Sequence, residues 1–166
     1  FTKEVEKRLL LGNSIERLGG AYEKVDIKKF HLDQIKSNFN IDFIANNLKK
    51  MNLQIFVDSM HGSAANCLSQ IFEGYDSKIF TEIRADYDPL FGGNPPEPLL
   101  KYLDNLTETL TKTSKNGIKT LGIIFDGDGD RIAVIDEKGR FCSTQVLLPF
   151  FISCLLYTSD AADDRG

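Results

Sequence analysis

Three aspartates at alternate positions form the segment of this chain best suited to chemistry. Asp126, Asp128 and Asp130 are separated by single glycines and followed directly by Arg131. Carboxylate oxygens without nearby sulfur or imidazole ligands favour Mg²⁺, Mn²⁺ or Ca²⁺ over zinc. The guanidinium of Arg131 offers a fixed fork of donors that suits a phosphate group. Residues 126–131, the aspartate loop, therefore predict a divalent-cation site beside a site for a phosphoryl group.

The spacing of the aspartates requires a bent backbone. In an extended strand, the Cα atoms of Asp126 and Asp130 would lie about 13 Å apart, at roughly 3.3 Å per residue. Oxygen–metal distances are only about 2.0–2.6 Å, so an extended segment cannot bring these carboxylates to one ion. Gly127 and Gly129 allow the bend, because glycine enters positive-φ regions at little steric cost. Crowded carboxylates repel one another, so we expect one of them to take up a proton unless a cation binds.

Two simpler interpretations of the loop compete with a metal site. Aspartate and glycine are common in surface turns, but the regular spacing, the arginine and the flanking apolar runs favour a metal loop. An EF-hand would place Asp126, Asp128, Asp130 and Glu137 at its first, third, fifth and twelfth positions. Its sixth position needs glycine for a sharp turn and is Arg131 here, and the flanks are strand-like, so we reject that motif.

The rest of the chain alternates short apolar runs with segments of helical period. Predicted strands cover 53–57, 78–83, 119–125 and 132–136, and predicted helices cover 3–18, 29–50 in one or two pieces, a segment after residue 62, 98–115, and a segment from 144. Nearly continuous apolar strands alternating with helices indicate an α/β fold. We predict a layered α/β/α domain with a mixed, mostly buried four-stranded sheet.

Bulk properties narrow the classes of partner and compartment. The chain has 166 residues, of which 42% are hydrophobic, enough for one domain of ordinary size. Its net charge of −4 argues against a general nucleic-acid surface. No apolar run reaches the length of a membrane span, so we expect neither nucleic acid nor membrane as a partner. Three cysteines without paired spacing and no visible signal peptide predict a cytoplasmic protein.

Both ends of the chain suggest that it is a piece of a longer protein. It starts at Phe1 without a methionine. Its last thirteen residues, 154–166, resemble the translation of a transposon-end adapter used in preparing sequencing libraries. We therefore expect a non-native read-through tail over 154–166, with the natural sequence ending near Ser153.

Three segments together resemble one enzyme family. Residues 125–131 resemble the metal-binding loop of the α-D-phosphohexomutases, which include phosphoglucomutase and phosphomannomutase. Residues 57–62 resemble the strand-end turn that opens the second domain of that family, and residues 88–98 resemble the loop before its next helix. The segments agree in order and spacing, and the resemblance covers roughly residues 1–153.

The resemblance implies a domain plan and a reaction. Residues 1–28 would be a helix and connector from the preceding domain, 29–141 the metal-loop α/β domain, and 142–153 the start of the next domain. The parent would interconvert hexose 1-phosphate and hexose 6-phosphate through a phosphoserine and Mg²⁺. Its partners would be a phosphorylated hexose and the missing domains of the same polypeptide. This piece would supply the Mg²⁺ loop and be inactive alone.

The resemblance also assigns roles to individual residues. Asp126, Asp128 and Asp130 would each give an oxygen to Mg²⁺, and Arg131 would be a catalytic residue that helps to hold a phosphoryl group. The fourth protein ligand in the family is an oxygen of the phosphoserine, which lies outside this chain.

Two other functions stay open from the sequence. A haloacid-dehalogenase-like phosphatase also places an Asp-x-Asp-Gly run after an apolar strand, which would make Asp126 the nucleophile. That class normally carries the run near its start and has Thr or Val at the position of Asp130. The second alternative is a non-catalytic module that binds a metal without turnover.

Overall fold

A mixed five-stranded sheet carries the aspartate loop. The computed structural model describes residues 2–12 and 23–163. Its strands are β1 (Leu53–Asp58), β2 (Phe80–Ile83), β3 (Lys119–Phe125), β4 (Ile132–Asp136) and β5 (Phe141–Cys142). Their order across the sheet is β2-β1-β3-β4-β5. Strand β1 runs parallel to β2 and β3, whereas β4 is antiparallel to β3 and β5. The carboxyl ends of β1, β2 and β3 therefore meet at one edge of the sheet.

Helices pack on both faces of this sheet. The helices of the described residues are α1 (Thr2–Leu10), α2 (Ile27–Asn38), α3 (Ile41–Lys50), α4 (Cys67–Ile71), α5 (Asp104–Ser114) and α6 (Thr144–Asp163), of which α1 has no buried residue. Side chains cap two of them, because Asp26 accepts a hydrogen bond from the backbone of Lys29 and Asn40 accepts one from that of Phe43, each at 2.9 Å. Such caps satisfy backbone N–H groups that lack a partner within the helix.

The main hydrophobic core lies between α5 and the sheet. Its fully or almost fully buried members come from β1, α5, β3 and β4, from the turn after β1 and from the residue before α5, and they are Phe56, Met60, Leu103, Leu106, Leu110, Ile124, Ala133 and Ile135. Burial alternates along β3 and β4, as expected for strands with one face against this core. Phe125, on the other face of β3, lines a cavity with residues of α2 and α4. The sheet is thus enclosed between two helical layers.

The predicted α/β class, with helices layered on a mixed sheet, is confirmed, but the predicted number of four strands was one too low. Strand β5 has only two residues, too few to show the alternation that marks a strand in sequence. The helix predicted over 98–115 is a 3₁₀ turn at Leu100–Tyr102 followed by α5. Of the helix predicted over 3–18, the structure describes residues 3–12, where α1 ends at Leu10 and residues 11–12 form a turn, and residues 13–18 lie outside the described residues.

Helix α6 leaves large apolar side chains in contact with solvent. Val146, Leu148, Phe150 and Ile152 are each about half exposed or more. Within the described ranges, no helix combines the length and the apolar character needed to cross a lipid bilayer. Large contiguous patches of exposed apolar surface are rare on monomeric soluble proteins, and they mark sites of interaction with other molecules.

Candidate metal centre

Three loops meet at the carboxyl edge of the parallel strands. Residues 59–63, the β1 turn, and residues 88–98, the proline–glycine loop, lie on either side of the aspartate loop. The carbonyl oxygen of Gly127 accepts a hydrogen bond from the backbone of Ser63 at 2.9 Å, and the N–H of Gly127 donates to Pro96 at 3.1 Å. The three segments that carried the family resemblance are therefore in direct contact, at the edge where α/β sheets bind ligands.

The two glycines of the aspartate loop serve different needs. Gly129 has φ = +81°, in the left-handed region that favours glycine. Gly127 is needed for close approach, since a Cβ atom there would lie 2.8 Å from Cγ of Pro96. The backbone N–H of Asp126 donates to the carbonyl of Arg131 at 3.3 Å and closes the loop. The predicted bend is thus present.

The bend brings the three predicted carboxylates together. One oxygen from each of Asp126, Asp128 and Asp130 lies within 4.8 Å of the others. Oxygens on opposite sides of one Mg²⁺ ion lie about 4.2 Å apart, so a small closure of the loop would bring all three into its coordination shell. Asp126 is fully buried at the base of the loop, whereas Asp128 and Asp130 are exposed. Three clustered carboxylate oxygens, two of them on exposed side chains, fit a hard divalent cation.

The pKa values of two of these carboxyls are shifted in opposite directions. The negative charge of Asp128 raises the pKa of Asp130 above its ordinary value, and a hydrogen bond with Asp126 raises it further. Burial alone would raise the pKa of Asp126, but hydrogen bonds from the backbone and side chain of Arg131 outweigh burial and hold that pKa below its ordinary value. The raised pKa of Asp130 agrees with the repulsion between carboxylates that the sequence led us to expect, and a bound cation would relieve that repulsion.

The carboxylate of Asp126 organises the loop from within. Its Oδ1 atom accepts hydrogen bonds from the backbone N–H groups of Gly129 at 3.0 Å and Arg131 at 3.1 Å. Its Oδ2 atom accepts a hydrogen bond from Nε of Arg131 at 2.6 Å. The Arg131 side chain is 51% exposed, and its Nε lies 3.7 Å from a carboxylate oxygen of Asp130. About half of the Arg131 side chain therefore remains accessible from solvent.

A buried ion pair below the β1 turn was missed by the sequence analysis. Arg84 donates from Nε to Oδ1 of Asp58 at 2.8 Å and from Nη2 to Oδ2 at 2.5 Å. The Asp58 side chain is only 3% exposed, and it also accepts a hydrogen bond from the backbone of Met60 at 3.1 Å. The pairing of Asp58 with Ile83 in the parallel β1–β2 register brings the two strand ends together. No local sequence pattern signals this pair, because it depends on the pairing of β1 with β2.

Comparison with known proteins assigns this domain to a family. The family model described as phosphoglucomutase/phosphomannomutase, alpha/beta/alpha domain II, matches residues 29–139. The phosphoglucosamine mutase of Methanococcus vannielii is 30% identical over 157 residues, which cover 95% of this chain and 33% of that protein. The probable phosphoglucosamine mutase of Methanothermobacter thermautotrophicus is 36% identical over 99 residues, which cover 60% of this chain and 21% of that protein.

A solved structure agrees with the sequence relatives. A putative phosphomannomutase from Thermus thermophilus superposes with a TM-score of 0.60 at 28% identity, and the match covers 75% of this chain and 27% of that one. The chain thus spans about a third or less of the length of these relatives. Because the family model covers four of the five strands and the whole aspartate loop, the chain belongs to the phosphoglucomutase/phosphomannomutase family, of which it contains the second α/β/α domain.

Proposed function

We propose that this chain is the Mg²⁺-binding part of a phosphohexomutase that interconverts hexose 1-phosphate and hexose 6-phosphate through a phosphoserine. The observation that supports the proposal best is the cluster of three aspartate oxygens within 4.8 Å in a loop held by two neighbouring loops. Relatives named phosphoglucosamine mutase and phosphomannomutase/phosphoglucomutase support the reaction class.

Each residue of the loop has a separate task in this proposal. Asp126, Asp128 and Asp130 would hold Mg²⁺, which supplies positive charge that stabilises the charge spread over a transferring phosphoryl group. The backbone N–H groups of Gly129 and Arg131 fix the orientation of the Asp126 carboxylate. The exposed part of the Arg131 guanidinium would donate to phosphoryl oxygens, a charge-assisted contact stronger than one between neutral groups.

The remaining machinery would come from other domains of the same polypeptide. The phosphoserine and the sugar-reading loop are expected outside this chain, so the chain alone would bind Mg²⁺ without catalysing turnover. The exposed apolar side chains of α6, such as Leu148 and Phe150, support packing against further protein. The free cysteines Cys67 and Cys142 are consistent with our proposal of a cytoplasmic location.

The structure offers little support for the phosphatase alternative. A nucleophilic aspartate needs a carboxylate oxygen that can reach a phosphorus atom. Asp126 is fully buried, and both of its oxygens accept hydrogen bonds within the loop. The family match also places this loop among mutases. Binding without turnover, the other alternative, is what we expect from the isolated chain.

The proposal is tested with Asp128→Asn in the full-length protein that contains this domain. Asp128 is exposed and belongs to the oxygen cluster, so the variant should keep its circular dichroism spectrum and lose Mg²⁺-dependent mutase turnover. Asp33→Asn makes the same chemical change on the exposed face of α2 and should leave turnover unchanged. Full activity in the Asp128 variant would contradict the assigned role.

A further inference from the structure

The Arg131 guanidinium shares the most buried carboxylate of the cluster. Oδ1 of Asp126 accepts two backbone hydrogen bonds, so both of its lone pairs are used. Oδ2 accepts a hydrogen bond from Nε of Arg131 at 2.6 Å. At most one lone pair on Oδ2 is therefore left for a cation. Any ion bound there shares this oxygen with the guanidinium.

Sharing an oxygen places two positive charges close together. A cation held by Asp126 and Asp130 would have the Arg131 guanidinium as its neighbour, because Nε lies 2.6 Å from one carboxylate and 3.7 Å from the other. Like charges at such distances repel, and each competes for the same negative groups. The arginine side chain is 51% exposed and is also attracted by Glu97 in the proline–glycine loop, so it has both room and a second partner.

We propose that Arg131 is a positioning residue for the metal site. Its positive charge competes with the divalent cation for the Asp126 carboxylate and so lowers the affinity of the aspartate loop for that cation. The inference rests on the proposed function, since it assumes that the aspartate loop binds a divalent cation. It differs from the phosphoryl-binding role proposed above, because it acts through Asp126 and can be measured without a sugar phosphate.

Arg140, in the turn between β4 and β5, provides a matched control. Its backbone N–H donates to Oδ1 of Asp136 at 2.9 Å, and its Nε donates to Oδ2 at 2.6 Å. These are the same two kinds of contact that Arg131 makes with Asp126. Asp136 is not a member of the oxygen cluster, so Arg140→Gln removes an equivalent ion pair and leaves the three candidate ligands intact.

The test is Mn²⁺ titration of the complete 166-residue chain, with free Mn²⁺ followed by electron paramagnetic resonance. Arg131→Gln should bind Mn²⁺ about three- to tenfold more tightly at low salt, as expected for removing one nearby like charge. The difference should shrink as salt is raised, because ions screen an exposed charge. Arg131→Lys keeps the positive charge, so its Mn²⁺ affinity should stay within about twofold of that of the unsubstituted chain, and Arg140→Gln should not change the affinity.

The outcomes separate the inference from the function on which it rests. Equal or weaker Mn²⁺ binding by a folded Arg131→Gln variant, or a gain that salt does not reduce, would overturn the inference alone. Arg131→Met, which keeps the alkyl stem, is a second charge-free variant with the same expected gain. If circular dichroism shows that neither variant folds, Arg131 is a folding residue and the inference is overturned. Absence of saturable Mn²⁺ binding by the unsubstituted chain would overturn the proposed function and the inference together.

Discussion

Gly62 and Gly127 lie so close that a Cβ atom on Gly62 would be 2.6 Å from the carbonyl oxygen of Gly127. The contact follows from the parallel pairing of β1 with β3, because the β1 turn and the aspartate loop leave the sheet side by side. The adjacent hydrogen bond from the backbone of Ser63 to the same carbonyl oxygen, at 2.9 Å, depends on this approach. The position of the aspartate loop is therefore fixed by backbone contact as well as by its own sequence.

Gly62→Ala should disturb the metal loop. A methyl group at this position meets backbone atoms, which cannot rotate away, so the aspartate loop must shift. We expect the free energy of unfolding to fall by about 1–3 kcal/mol, the usual cost of overpacking. Mn²⁺ affinity should fall about tenfold or more, because misplaced ligands no longer converge on one ion. Urea denaturation and Mn²⁺ titration measure the two effects.

Gly93→Ala is the control for this substitution. Gly93 has φ = +77° and open space around its Cβ position, so alanine there costs about 1–2 kcal/mol of backbone strain without a clash. The stability of the two variants should be similar, and only Gly62→Ala should weaken Mn²⁺ binding. An equal loss of affinity in both variants would show that general destabilisation, rather than the contact with Gly127, is responsible.

The aspartate loop was predictable from sequence because its information is local. Two apolar runs define β3 and β4, and the glycines between them define the bend, so the convergence of Asp126, Asp128 and Asp130 follows from six consecutive residues. The pair of Asp58 with Arg84 was not predictable in the same way. These residues are 26 positions apart, and they meet only because β2 lies beside β1. Contacts of this kind depend on strand order, which no local pattern encodes.

Helix boundaries were less predictable than the loop. The apolar period of Leu99, Leu103, Leu106 and Leu110 continues across a 3₁₀ turn, so it could not show that α5 begins at Asp104. The break occurs at Leu103, whose φ of −114° is not helical, and yet this side chain is almost fully buried. The hydrophobic pattern runs through a 3₁₀ turn, of which Tyr102 packs against the core while partly buried, into α5, which contributes fully buried leucines.

Arg84→Met should destabilise the domain strongly. The substitution leaves the Asp58 carboxylate buried without its guanidinium partner, and removing one partner of a buried ion pair costs about 3–5 kcal/mol. Adding Asp58→Asn should recover part of that loss, because no uncompensated charge then remains buried. Urea denaturation of the two single variants and the double variant gives the coupling free energy between Asp58 and Arg84.

An exposed ion pair provides the comparison for Arg84. Arg8 and Glu4 lie 3.3 Å apart on α1 with both side chains largely exposed, so Arg8→Met should cost less than about 1 kcal/mol. Similar losses in Arg84→Met and Arg8→Met would show that the Asp58 pair contributes no more than a surface contact.

Asp136 should make the stability of the domain depend on pH in the acid range. Burial alone would raise the pKa of its carboxyl, but hydrogen bonds from the side chain and backbone of Arg140 and from the backbone of Lys138 outweigh burial and hold that pKa below its ordinary value. The unfolded chain therefore binds a proton at Asp136 at a higher pH than the folded chain, whose carboxyl must lose its partners to be protonated. The stabilisation is complete above the unfolded pKa of about 3.9 and is lost as pH falls through the lower folded pKa.

Asp136→Asn tests this dependence directly. The variant should be less stable than the unsubstituted chain at neutral pH, and the gap should narrow as pH falls from about 5 to about 2, because only the unsubstituted chain has this carboxyl to protonate. Other acidic groups titrate equally in both proteins, so they cancel in the difference of unfolding free energies measured with urea at each pH. Glu4→Gln removes an exposed carboxylate, so its unfolding free energy should differ little from that of the unsubstituted chain at every pH in this range. The Asp136→Asn variant and the unsubstituted chain could instead differ in unfolding free energy by an amount that stays constant with pH. Asp136 would then stabilise the turn between β4 and β5 by shape and neutral hydrogen bonding, and its charge would contribute nothing.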